Sequence, residues 1–159
     1  MWSMFLPTTV HGRVSDIWRS YIAQTLGKTY GMLSVFMGPI VTQDRNAHNY
    51  LADFQSEEPL YERAGVLVEY LLNWKYKSID GSGSPPANPT FEGAMEKLYV
   101  DLYEHGILEW KDVELVQLWI QSLQSVGYEF PAISTSSLEQ EQHPIHAALD
   151  KPCEDTHDI

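Results

Sequence analysis

From residue 11 to residue 19 the chain reads His11-Gly12-Arg13-Val14-Ser15-Asp16-Ile17-Trp18-Arg19, one carboxylate set among two guanidinium groups and an imidazole. Such a set suits two kinds of chemistry. A carboxylate can take the proton from a hydroxyl that is becoming a nucleophile, and Arg with His can balance the charge of a diphosphate. The same residues also suit a purely structural part, with Ser15 capping a helix and Asp16 in its first turn, paired with a neighbouring Arg. The spacing fits both. A second polar cluster, Gln43 to Tyr50, holds His48, which is either a ligand for a metal or diphosphate or an ordinary surface histidine. Asp112 and Glu114 have the two-residue spacing of a metal-binding acidic pair, but they fall on an amphipathic helix and read as solvated surface.

Those residues need elements to position them. Trp2 to Leu6 reads as a short strand, and Met32 to Met37 with Ile40 to Gln43 reads as strand material bent at Gly38-Pro39. A helix is expected over about 15–30, with Val14, Ile17, Trp18, Tyr21, Ile22, Thr25 and Leu26 on one face. Residues 44–55 read as a loop. A second helix spans about 59–74, started by Pro59 and buried through Leu60, Ala64, Leu67, Leu71 and Trp74. A third opens at Asn88-Pro89 and stops at Gly106, and a fourth covers about 111–126 and stops at Gly127. The fold class expected is therefore α/β, with a few strands at the front followed by mostly helices. The Gly, Ser and Pro residues of 78–88 mark a flexible connector. The domain is expected to end near 131, leaving 132–159 as an acidic, disordered tail that also carries His143, His146 and His157.

Composition narrows the function classes. With 22 acidic against ten basic residues the net charge is −12, which disfavours nucleic acid and anionic lipid as partners. Cys153 is the single cysteine, so no intrachain disulfide can form. No stretch has the run of apolar residues that a membrane-spanning helix requires, and Met1 to Pro7 does not have the build of a signal peptide.

The run His11-Gly12-Arg13-Val14-Ser15-Asp16-Ile17-Trp18-Arg19-Ser20-Tyr21 resembles the Arg-x-x-Asp-Ile-Trp-Arg-x-Tyr signature of STELLO-like glycosyltransferases. The resemblance continues through Pro39 and Arg45-Asn46-Ala47-His48-Asn49-Tyr50-Leu51-Ala52-Asp53-Phe54 to Gly127-Tyr128. It implies the C-terminal portion of a GT-A-type domain related to reversibly glycosylated polypeptides. Such relatives are Golgi membrane enzymes that use a nucleotide sugar, a carbohydrate acceptor and a divalent metal, Mn or Mg, and that join glycosyltransferase complexes. Carried over, Asp16 is the candidate catalytic base, and Arg13, Trp18, Arg19 and His11 are candidate substrate-binding residues. His48 is the candidate metal ligand. The chain departs from the pattern in having no Asp-x-Asp. The donor-binding strands are expected upstream, no metal is expected to bind this chain alone, and the isolated chain is expected to be inactive. The alternative is a non-catalytic helical module that docks a Golgi transferase or a membrane partner.

Overall fold

The computed structural model describes residues 1–35, 37–42, 44, 47, 49–77, 86 and 88–133. The expected connector falls mostly outside the described residues, as do His48 and the tail from 134 onward. Five α-helices make up the described part: α1 (Gly12–Lys28), α2 (Tyr50–Ser56), α3 (Glu58–Asn73), α4 (Phe91–Glu104) and α5 (Trp110–Ser125).

The α/β expectation is overturned, because the described residues contain helices and no strand. Trp2–Met4 is a single 3-10 turn whose Met4 N–H is satisfied locally by Met1 O at 3.0 Å. What looked like a strand is an aromatic plug. Trp2 is buried against Tyr30 and Phe91, at ring-centre distances of 6.1 and 4.7 Å. The described residues of the apolar run after Gly31 take no regular form. A β-pattern is realised only where a neighbouring strand accepts its backbone groups, and the described residues supply none.

The helices follow from their apolar stripes. On α1, Val14, Trp18, Ile22 and Leu26 recur every four residues and are all buried. They pack against α3, α4 and the 3-10 turn. Thr90 caps α4 by accepting the Gly93 N–H at 3.1 Å, two residues later than Asn88-Pro89 suggested. Gly106 (φ +66°) ends α4, where Ile107 N–H reaches back to Leu102 O at 2.8 Å. That left-handed position favours glycine. Arg63 of α3 then donates to Gly106 O and Ile107 O at 2.8 and 3.2 Å, a cation placed at the negative end of α4. The short connection lets α5 fold back along α4, and Leu98, Leu102, Val113 and Val116 meet in the core. Each fully buried aliphatic side chain there contributes about 2 kcal/mol.

Two carboxylates lie inside this packing. Asp101 accepts from Trp74 Nε1 at 2.8 Å and pairs with Lys97. Asp112 is completely buried, contrary to its expected place on the solvated face of α5. Its Oδ1 accepts from Thr8 N–H at 2.7 Å and from Thr8 Oγ1 at 3.0 Å, and its Oδ2 accepts from Thr9 Oγ1. The Pro7–Thr9 loop is thereby fixed to α5, and Ser15 Oγ, donating to Pro7 O, fixes it to α1.

Asp112→Ala strands three donors, each worth about 1–3 kcal/mol when left without an acceptor. Urea denaturation should show a stability loss of about 3 kcal/mol, and a loss below about 1 kcal/mol would mean that water already serves the two threonines. A second expectation concerns alkali. Burial, then the charges of Asp101 and Glu104, push the Tyr70 hydroxyl up to about 12. The folded state thus favours the neutral phenol. Its contribution is complete below pH 10, the ordinary tyrosine value, and is lost as pH rises towards 12. Unfolding free energy followed from pH 9 to 12 should fall less steeply in Tyr70→Phe; parallel curves would show that Tyr70 is not responsible.

Candidate functional site

The N-terminal end of α1 gathers most of the candidate residues. The helix begins at Gly12 rather than Ser15, and its cap is His11, whose Nδ1 accepts the Arg13 N–H at 3.3 Å. Ser15 is buried and serves the Pro7 carbonyl instead of capping. His11 therefore has a structural bond to its own helix, with the rest of its ring exposed.

Asp16 lies beyond the first turn and is exposed. Its Oδ1 accepts the Ile17 N–H at 2.9 Å, and among the described residues it makes no ion pair. Trp18 is two residues further on, about 200° around the helix, and is wholly buried. The helix thus separates these two candidates: Asp16 faces solvent and Trp18 faces the core. Trp18 Nε1 is buried with no hydrogen-bond partner among the described residues.

Arg13 turns towards α2. Its guanidinium pairs with Asp53 and reaches Glu57 Oε1 at 3.4 Å, at the junction of α2 and α3. This contact matters because α2 buries none of its own residues. Asn49 caps α2 by accepting the Ala52 N–H at 3.2 Å. The segment 44–55 was expected to be a loop, and the Asn49 cap is the local signal for the helix that it partly forms.

Arg19 is half-buried at a crevice lined by Trp2, Ser3, Phe5 and Tyr99, between the 3-10 turn, α1 and α4. The space is about 10 Å³, room for about one water. Burial and then the charge of Asp112 push the Tyr99 hydroxyl upward, so Tyr99 stands there as a neutral phenol. Among the described residues, no three His, Cys, Asp or Glu converge into a set able to hold a metal ion. The described residues therefore do not fit a divalent metal, and His48 lies outside them.

The residues missed by sequence reasoning are those that hold the rim in place. Asp112 was legible in one respect: it shares the buried stripe of α5 with Val116, Ile120 and Leu123, an apolar register in which a carboxylate needs bonded partners. Asp53 and Glu57 carry no local signal, since their partner is some forty residues away.

A family model of the STELLO glycosyltransferases matches residues 13–153, from Arg13 through every helix described above. The chain belongs to the STELLO glycosyltransferase family. It is 26% identical over 144 residues to the probable glycosyltransferase STELLO2 of Arabidopsis thaliana, and 24% identical over 148 residues to the probable glycosyltransferase STELLO1 of the same plant. Each comparison covers 91% of this chain, which spans 17% of the length of either STELLO relative. No solved structure matches the chain. Among the described residues no helix is long and apolar enough to cross a membrane.

The Arg13 pairs are partly exposed, so they are worth under about 1 kcal/mol together in global stability. Their effect should be local. In Arg13→Gln, amide exchange across α2 should quicken several-fold while the unfolding midpoint barely moves, and about 0.5 M salt should produce part of the same change in the parent. Unaltered exchange in α2 would assign its docking to other contacts.

Proposed function

We propose that this chain supplies the acceptor-side surface for a nucleotide-sugar-dependent glycosyl transfer carried out by the longer polypeptides of the STELLO family, with Asp16 as proton acceptor. Family membership supports the reaction class. The observation that carries the residue is the exposure of Asp16 without an ion pair among the described residues, on a helix held rigid by its buried face. A carboxylate in that position is open to an incoming hydroxyl and is not committed to a cation.

In the reaction envisaged, the acceptor hydroxyl gives its proton to Asp16 as its oxygen forms a bond to the anomeric carbon of the donor sugar. The bond from that carbon to the diphosphate oxygen breaks, and the nucleoside diphosphate leaves with the electron pair. Arg19, three residues along α1 from Asp16, supplies a cation for the acceptor side, and His11 at the helix cap presents an exposed ring edge to it. The crevice beside Arg19 is far too small for a nucleotide sugar, so donor binding is assigned to residues other than these. A GT-A-type catalytic domain and a Golgi membrane location belong to the same proposal.

A second reading, a non-catalytic helical module that docks a transferase or membrane partner, draws on a different feature: Leu33, Val35, Met37, Ile40 and Val41 stand in solvent.

The test is nucleotide-sugar turnover by STELLO2 in which this chain replaces the segment that it matches, with Asp16 and with Asp16→Asn. Loss of a general base lowers kcat by about 10²- to 10⁴-fold and leaves KM for the donor nearly unchanged. Equal kcat in the two proteins would remove Asp16 from the chemistry.

A further inference from the structure

Most aromatic rings among the described residues are buried or half-buried, but those at the junction of α2 and α3 stand in water. Tyr50, Phe54 and Tyr61 are 83%, 59% and 60% exposed. Tyr50 and Phe54 share one face of α2, about 6 Å apart along its axis. Phe54 stacks on Tyr61 of α3, with ring centres 5.2 Å apart and planes inclined by 29°.

Polar groups frame this pair. Glu57 accepts the Tyr61 hydroxyl on Oε2 at 3.2 Å and the Arg13 guanidinium on Oε1 at 3.4 Å, and Arg13 also pairs with Asp53, next to Phe54 in the chain. On α1, Arg13 and Asp16 have the i,i+3 spacing of neighbours on a helix surface. One cation and one carboxylate thus join the rings to the side of the molecule that carries Asp16.

The chemistry of this surface selects its occupant. An anion is disfavoured, because Arg13 is already engaged by Asp53 and Glu57, and Glu58 adds a further negative charge. The centre of a protein interface is depleted of charged residues, whereas these rings are interleaved with acids. A neutral pyranose meets both demands. The C–H bonds on one of its faces are apolar and weakly positive, so they lie well against the negative face of an aromatic ring. Its rim of hydroxyls can donate to carboxylates and accept from a guanidinium. Membership of a glycosyltransferase family makes a sugar the chemically consistent ligand. We propose that Phe54 and Tyr61, continued by Tyr50, form a stacking platform for a neutral oligosaccharide acceptor, behind the sugar whose hydroxyl approaches Asp16. The proposal rests on the acceptor-side reading above and extends it from the reacting hydroxyl to the saccharide that carries it.

The experiment uses the 159-residue chain and saturation-transfer difference NMR, with β-1,4-linked pentasaccharides of glucose, xylose and mannose as probes. Ring C–H protons of at least one probe should receive saturation. Phe54→Ala and Tyr61→Ala should each weaken that binding about ten-fold, the size of one lost aromatic contact. Phe54→Trp should preserve it, and Tyr103→Ala, which removes an exposed ring on α4, should bind like the parent. Tyr61 lies on α3, which is buried through Leu67 and Leu71, so Tyr61→Ala stays readable even if Phe54→Ala lets α2 fray. Saturation of none of the probes, or binding that persists in both alanine variants, would overturn the proposal. So would self-association in sedimentation velocity that is lost in Tyr61→Ala, which would make the rings a protein contact. Asp16→Asn should bind the probe like the parent. Absent binding with a lowered kcat in the Asp16→Asn chimera removes the platform alone, and intact binding with an unchanged kcat removes the proton acceptor alone.

Discussion

The completely buried carboxylate of Asp112 governs the arrangement of the front of the molecule. A carboxylate taken out of water is costly unless its lone pairs are met. No cation meets this one among the described residues; instead the backbone N–H of Thr8 and the hydroxyls of Thr8 and Thr9 converge on its two oxygens. The compensation works only while the loop stays in register with α5. Because Ser15 holds the carbonyl of Pro7, the same register sets where α1 begins. The cap at His11, the Arg13 bridge to Asp53 and the outward direction of Asp16 all follow from that placement. A helix start that would otherwise fray is thus tied to a residue about a hundred positions later in the chain.

The rest of the bundle uses the same device in a milder form. Asp101 gathers Trp74 Nε1 and Lys97 around a nearly buried carboxylate, and Arg63 meets the carbonyls of Gly106 and Ile107 in the turn that follows α4. Polar groups are placed where helices end or cross, and aromatic rings fill the space between. Trp2, Tyr30 and Phe91 meet edge to face, and Phe5 meets Tyr99 in the same way at 5.3 Å. The exceptions are Trp18 and Trp119, whose buried Nε1 atoms have no partner among the described residues. Each forfeits about 1–3 kcal/mol relative to a satisfied donor, and it is the size of the rings that makes such positions tolerable, since they bury so much apolar area.

The helices were legible because their signal is local. A stripe recurring at three and four residues identified α1, α3, α4 and α5 to within a few positions, and Gly106 and Gly127 marked stops that are realised with positive φ. The strands were misread for the complementary reason. The apolar, β-prone residues of Met32 to Met37 report a preference for a pleated surface, but pairing is a long-range event that no short window reports. Ser15 and Asp112 were misassigned on the same ground. Each was given the part that its own helix offered, a cap and a solvated acid, whereas the loop at Pro7–Thr9 claims both. His11, Arg13 and Asp16 fall at the N-terminal end of α1, and the direction of Trp18 follows simply from helical periodicity.

That periodicity has a functional consequence. On α1 the residues that support the fold and those nominated for chemistry occupy opposite faces, with Val14, Trp18 and Ile22 inward and Asp16 outward. Helical geometry then decouples the two demands: the outer face can be matched to a substrate or a partner without disturbing the core, and the core keeps the outer face still. The coupling that remains runs through the cap and the Pro7–Thr9 loop, so the orientation of the rim depends less on α1 itself than on α5, which holds the loop from behind. A change at Asp112 would therefore reach the outer face of α1 sooner than a change in the middle of its own buried stripe.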